Sequence, residues 1–466
     1  MKLHRAWPTL GLATLLAWPA VAPAQDLLTV WRAAREHDRT LAVARAEHAA
    51  SQTKRDQADA LWRPNVSLGL GAGVGASNVR MNGAQFSAPG MGTSSGVDFA
   101  TSINSGLLAR GSITVRQPLY NRGRDASRAQ LELGADMGDT AWSAAQTDLA
   151  LRTVQRYFEL ALAQEELRVA DREQVAVART TEEAHERFRL GESAVTDSHE
   201  ADAALARVRA QVETARLQVE LKRQKLADST GLAAPSARLP MHSSAPGKTL
   251  QAWLDDAEAR NLQVQLARQA VAMAEQSLRG RRAANDVRVD LVAQASLDRI
   301  DGHGDFGAAD NRNRNAMIGV QLTIPLYDGG MAGAQASEGA RQLEKAQAEL
   351  DAARERVGEQ VRTAWLGWQS GQTRILALED GLKASAARLD ATRLGHKVGD
   401  RTLLDLLNAE SDNARATLTL AEARVAQVQN RLQLAALTDQ LAETTLVEVN
   451  AVLQQPASSA TTTAPG

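Results

Sequence analysis

The sequence predicts a mainly α-helical chain that also carries strands of a membrane β-barrel. It is built as two duplicated halves, each a β-strand pair followed by a long coiled-coil helical hairpin. Three observations predict this: an internal repeat, four segments of period-two alternation, and helical stretches too long for a globular core. Composition agrees. Only 3% of the 466 residues are aromatic, whereas aromatic rings supply much of the area buried in compact cores. Alanine and long straight side chains, the residues of helices and coiled coils, dominate instead.

The repeat is legible at two places. ITVRQPLYNRG at 113–123 returns as VQLTIPLYDGG at 320–330, which aligns Pro118 with Pro325 at a shift of 207. RFRLGESAVTD, ending at Asp197, returns as RLGHKVGDRTLLD, ending at Asp405, at a shift of 208. Two separated motifs in near-equal register mark a duplication, since chance produces one such match far more easily than two.

The N-terminus comes first in order. Lys2 and Arg5 precede the run LGLATLLAWPAVA, and Ala22-Pro23-Ala24 meets the small-x-small cleavage rule, so residues 1–24 read as a signal peptide. That run is shorter than the ~20 residues a spanning helix needs, and no later stretch reaches that length, so any membrane crossing must use strands. The first repeat, 25–232, opens with a helix over 27–62, where apolar residues recur at spacings of three and four. Alternation then marks strands at about 65–75 and 107–118, on either side of a polar, Gly-rich loop at 76–106. A helical hairpin over 124–230 follows, broken at Gly191. Residues 233–249 form a Pro/Ser/Gly-rich linker.

The second repeat, 250–445, has the same order. A helix over 250–284 leads to strands at 287–298 and 315–326 around a loop at 299–314, then a hairpin over 331–441 broken at Gly395 and Gly399. Residues 446–466 read as a disordered tail. The first helix of each hairpin would reach roughly 100 Å at 1.5 Å per residue, a length that implies coiled-coil packing.

Several chemistries are excluded. The formal net charge of -2 gives no field for a nucleic-acid partner. The absence of cysteine removes disulfides, thiolate metal sites and a lipid-carrying N-terminal cysteine. GLGAGVG at 69–75 lacks the Lys-Ser/Thr of a phosphate loop, and DGHGD at 301–305 reads as a turn, not a metal site. His199-Glu200 lacks the second histidine of a zinc motif. No catalytic residue, metal or cofactor is expected.

Strands of this length fit a tilted bilayer crossing of about 9–11 residues. Four strands cannot close alone, and an open sheet edge cannot face lipid. Copies of the chain must therefore share a barrel; two, three or four copies would satisfy closure.

The signal peptide, the duplicated halves, the PLY strand endings and the RFxxG…TD and VGDRTLLDLLNA motifs together resemble the TolC family of outer-membrane efflux proteins, over about 27–445. The resemblance implies a homotrimer whose 12-stranded β-barrel in the outer membrane continues as an α-helical barrel into the periplasm. It implies a non-enzymatic channel that exports cargo within a tripartite efflux pump or a type I secretion system. Its implied partners are a periplasmic adaptor (membrane fusion) protein, an inner-membrane transporter of the ABC or proton-driven kind, and outer-membrane lipid. The competing reading, a periplasmic coiled-coil adaptor or scaffold without a barrel, leaves the alternating segments unexplained.

The resemblance also implies sites. Thr196 and Asp197 of the first repeat match one side of a periplasmic gate, and His396 and Arg401 of the second match the other. His396 stands where the family often has tyrosine, so a protonated His396 facing Asp197 is expected to seal the gate better in acid. Asp405 matches an aperture selectivity ring, and Asn408 stands where a second aspartate can occur. Asp405, Asn408 and Asp412 are three and four apart and share a helix face. Tyr120 and Tyr327 end strands and read as membrane-interface anchors.

Overall fold

The computed structural model describes residues 26–241 and 247–454. The expected signal peptide, part of the expected linker and the last twelve residues lie outside the described residues. The elements run α1 (Leu27–His37), α2 (Arg39–Ala60), β1 (Asn65–Ala88), β2 (Gly92–Tyr120), α3 (Arg122–Arg189) and α4 (Val195–Thr230). The second half repeats them as α5 (Leu250–Arg260), α6 (Leu262–Arg282), β3 (Arg288–Gly304), β4 (Gly307–Thr323), α7 (Met331–Lys397) and α8 (Leu403–Leu437). A last helix, α9 (Glu443–Gln454), follows. The starts of α1, α2 and β1 recur 223 positions later, against 207 for the two prolines, so the first β-hairpin holds 16 extra residues.

The single helices expected over 27–62 and 250–284 are each two helices. Asp38 ends α1 by donating its N–H to Ala34 O at 2.9 Å. Its carboxylate then accepts from the N–H groups of Thr40 and Leu41 at 2.9 and 3.0 Å, which caps α2. Burial pushes the Asp38 pKa up, but bonds from Thr40 and Leu41 and the charge of Arg152 outweigh it and hold the carboxyl below its usual range. Asn261 makes the same break between α5 and α6 and donates its side-chain amide to Leu437 O at 2.9 Å.

The chain forms two compact units: Met1–Ala44, Ser143–Leu262 and Glu355–Gly466 in one, Arg45–Trp142 and Gln263–Arg354 in the other. In the first, Tyr157 and Phe158 of α3 meet edge to face and pack with Leu27, Leu226, Leu432 and Leu446. The Tyr157 hydroxyl accepts from Arg238 N–H at 3.1 Å, which ties the linker to this core. The tail expected from 446 is corrected here. Residues 446–454 belong to α9, whose Leu446, Val449 and Leu453 are buried in the same core. Their spacing of three and four is an apolar helical stripe.

The second unit holds an antiparallel sheet of order β1-β2-β3-β4. The loops expected at 76–106 and 299–314 are strand, and this too is a correction. Pairing continues to Ala88↔Gly92 in one hairpin and Gly304↔Gly307 in the other. Polar residues and glycines hid it: the second hairpin has almost no apolar residue over 301–315, and in the first Val79, Met81, Phe86 and Phe99 are too scattered among them to set a sustained period of two.

Register sorts the sheet into two faces. On one, the alternate residues of 66–74, 107–115, 289–297 and 316–324 are all apolar or glycine. Several are open to their surroundings; Leu70 is 79% and Ile318 75% exposed. The other face carries Ser67, Thr114, Gln294 and Gln321, with an Arg110–Asp298 ion pair. Each apolar run spans nine positions, about 30 Å of strand at ~3.3 Å per residue. Tilted, that matches the ~25 Å apolar band of a membrane barrel. The runs are also stepped. Val74 pairs with Leu107, but Leu107 pairs with Asp301, so the β3 run ends lower, at Leu297. Leu297 pairs with Arg314, and the β4 run ends lower again, at Ala316. Tilted strands need such an offset to present a level band.

The faces make opposite predictions. Leu70→Arg and Val320→Arg should each cost on the order of 2–4 kcal/mol of membrane stability and reduce heat-resistant oligomer on gels. Ser67→Arg and Gln321→Arg should leave the yield unchanged. Equal loss on both faces would contradict the assignment.

Candidate functional site at the hairpin turns

Both hairpins turn in the same way. After α3, Gly191 adopts φ 77° and donates to Phe188 O at 2.9 Å, while Glu192 N–H reaches Arg187 O at 2.8 Å. After α7, Gly399 adopts φ 80° and donates to His396 O at 3.2 Å, while Asp400 N–H reaches Gly395 O at 2.8 Å. This closure of orphaned carbonyls around a left-handed residue is why glycine stands at both positions. The return helices differ. Ala194 precedes α4 without a side-chain cap, whereas Thr402 and Asp405 form a reciprocal capping box at α8. Thr402 Oγ1 accepts from Asp405 N–H, and Asp405 accepts from Thr402 N–H, both at 3.1 Å. The side chain and then the backbone of Thr402 hold the Asp405 carboxyl below its usual range.

The four expected gate residues all lie at these turns. Thr196 and Arg401 are exposed; Asp197 and His396 are partly covered. His396 Nδ1 lies 3.2 Å from the Arg401 carbonyl oxygen, so its ring bonds within its own turn. A Cβ on Gly395 would stand 2.7 Å from Arg401 Cγ; the glycine leaves the room in which the arginine stem folds back. Among the described residues, no hydrogen bond or ion pair joins Thr196 or Asp197 to His396 or Arg401. The expected His396–Asp197 contact is therefore not made within one chain.

Helix α8 is held by its apolar side. Leu403 and Leu407 pack with Val177, Ala184, Ala201 and Leu205 of the first hairpin, and Leu406 and Ala409 pack on Leu389. This turns Asp405, Asn408 and Asp412 outward as one exposed stripe, with Leu404 beside them. Asp412 meets the Arg388 guanidinium, so its charge is compensated.

One buried feature went unread in the sequence. Glu410 lies at the apolar spacing of α8 and is buried; Arg393 Nε and Nη2 both reach its Oε1, at 3.0 and 2.7 Å. Glu173 of α3 lines the same cavity of about 270 Å³. Burial first, and the nearby Glu410 second, push the Glu173 pKa up. A charged residue at an apolar helix position was the available signal.

In the sheet, Tyr120 pairs with Val289 on the apolar face and is 48% exposed. Tyr327, beyond β4, is 88% exposed next to the equally open Leu326. Among the described residues, no group of three His, Asp or Glu could hold a metal ion.

An apolar belt on a sheet with two open edges, joined to long helical hairpins, defines an outer-membrane channel component. The comparisons agree. The outer membrane efflux protein family matches residues 30–232 and 253–440. The chain is 26% identical over 467 residues to outer membrane protein TolC of Escherichia coli (strain K12), covering 98% of this chain and 91% of that protein. It is 25% identical over 431 residues to the alkaline protease secretion protein AprF of Pseudomonas aeruginosa, covering 91% of this chain and 86% of that protein. The crystal structure of the Campylobacter jejuni CmeC outer membrane channel superposes with TM-score 0.71 at 13% identity, covering 98% of each chain. The chain belongs to the outer membrane efflux protein family. It is a non-enzymatic efflux channel of the outer membrane with a periplasmic extension.

Glu173 gives a pH prediction. Its raised folded-state pKa means that its favourable contribution is full below its unfolded pKa of about 4.3 and is lost as pH rises through the folded value. Glu173→Gln should therefore melt higher than wild type at neutral pH in detergent, and the gap should close in acid. Equal melting at neutral pH would contradict the burial argument.

Proposed function

We propose that three copies form a trimeric channel-tunnel, the outer-membrane component of a tripartite efflux pump or type I secretion system. The observation that carries this is the stepped apolar band on a four-stranded sheet whose β1 and β4 edges have no strand partner among the described residues. In lipid those edges must be paired, and neighbouring copies supply the pairing. Three sheets make twelve strands, and the hairpins of three chains then make the helical barrel. A coiled-coil scaffold without a barrel has no use for such a band. A periplasmic adaptor and an inner-membrane transporter, ABC or proton-driven, complete the assembly; the likeness to a protease secretion protein supports protein cargo.

In this trimer the exposed stripes of α8 face the axis. Asp405 becomes a ring of three carboxylates, Asn408 a neutral ring, and Asp412 a ring compensated by Arg388. Like charges around an axis attract cations. Thr196, Asp197, His396 and Arg401 line the turns that close the aperture, with their links made between turns as these approach. Tyr120 and Tyr327 anchor the periplasmic rim of the barrel.

Planar-bilayer recordings test the ring. Asp405→Asn should reduce cation preference several-fold, and Asn408→Asp should increase it. Within one chain Thr402 holds the Asp405 pKa down, which opposes the upward push of its two like-charged copies and favours the carboxylate across physiological pH. Selectivity should accordingly be flat from mildly acidic to mildly basic pH. Unchanged selectivity in Asp405→Asn would place the ring elsewhere. Arg401→Ser should raise resting conductance; wild-type conductance in that variant would remove Arg401 from the gate.

A further inference from the structure

We propose that the outward face of β3 and β4, immediately beyond the apolar band, binds the phosphorylated headgroup of an outer-leaflet lipid. The inference rests on the barrel reading above. Register places three arginines on the lipid-facing side. Arg314 pairs with Leu297, the last apolar residue of the β3 run, and Arg299 pairs with Arg312 one rung further out. The helices join the opposite ends of these strands, so this end of the band lies in the outer leaflet.

The charges do not balance. Asp310 accepts from Arg299 at 3.1 Å twice and from Arg312 at 3.0 Å, and Asp301 lies 3.6 Å from Arg299. Arg314, the arginine nearest the hydrocarbon, has no acidic partner among the described residues. The excess positive charge thus sits at the very edge of the apolar band. A guanidinium so placed reaches outward to an anion at the interface, and a phosphate ester matches its bidentate geometry. Acyl chains attached to that phosphate would run down past Leu297 and Ile318. Beyond its own apolar band, which ends at Val74 and Leu107, the first repeat carries one arginine, Arg80 of β1, and none in β2, where the second repeat carries three. The duplication has kept the belt and concentrated the basic patch in the second half, so a trimer would carry three such sites.

The test uses the full-length assembly purified in detergent and mixed with diphosphorylated lipid A or with the same lipid after removal of its phosphates. Bound lipid is counted by native mass spectrometry. Wild type should retain several-fold more phosphorylated lipid than the double variant Arg299→Gln/Arg314→Gln. Arg314→Lys should keep only part of the binding, because it retains the charge without the bidentate fork. Arg110→Gln, on the opposite face, should behave as wild type. Inorganic phosphate in excess should not displace the lipid, and the dephosphorylated lipid should not distinguish wild type from variant. Equal retention by the double variant, equal retention of the dephosphorylated lipid, or displacement by inorganic phosphate would each overturn the proposal. If the double variant does not assemble, Arg314→Gln alone, which leaves both ion-paired arginines intact, makes the same comparison. Heat-resistant oligomer on gels reports the barrel separately, so loss of the lipid site and loss of the barrel are told apart.

Discussion

Every backbone N–H and C=O that enters hydrocarbon must be bonded within protein, because nothing in lipid replaces water. This chain places eight or nine residues of each of four strands in an apolar band, and among the described residues the sheet they form ends at β1 and β4. A single copy cannot meet the requirement. Oligomerisation is therefore the condition under which the strands can sit in a membrane at all. The step of the band from strand to strand carries the same message, since only tilted strands need it and tilt is what closes a barrel.

The helical part depends on that closure. Each strand pair hands the chain to a long helix, α3 or α7, that returns through a glycine turn. Because the two halves are copies, an assembly of a few chains contains twice that number of similar hairpins, which can pack side by side with near-equal spacing. The copies have then diverged where function differs. The first turn leads into α4 with Ala194 and no side-chain cap; the second leads into α8 with the Thr402–Asp405 box. The second turn also folds Arg401 over Gly395 and directs the exposed stripe of Asp405 and Asn408 outward. The exposed acidic stripe sits in the second repeat, and the first supplies the wall against which α8 is braced, through Val177, Ala201 and Leu205.

Much of this was legible because it is periodic. The PLY endings and the glycine turns revealed the two halves, and the alternation at 65–75 and 287–298 marked the starts of β1 and β3. The outer parts of the hairpins were harder to read, since Asn311 and Asn313 alternate with arginines, and the short alternation of Val79 and Met81 with Asn78, Arg80 and Asn82 stops at Gly83. Only the fold shows why α3 carries Gly134 and Gly138: Lys54 and Ser51 of α2 lie directly over them. The breaks at Asp38 and Asn261 were hidden by apolar spacing that runs through them. At the turns, the common face of residues 405, 408 and 412 followed from helix geometry alone. The Glu173–Glu410–Arg393 cluster did not, because it joins three helices whose neighbourhood no local pattern records.

The most direct measurement of the central claim is a cross-link between the two free edges. The chain has no cysteine, so introduced thiols are the only ones present. With Ser67→Cys on β1 and cysteine placed in turn at Gly319, Gln321 and Thr323 on β4, oxidation in outer membranes should join edge to edge between copies. The account predicts a covalent ring of three chains at one of these registers. Cross-linking confined to single chains, or a closed ring of any other number, would contradict it.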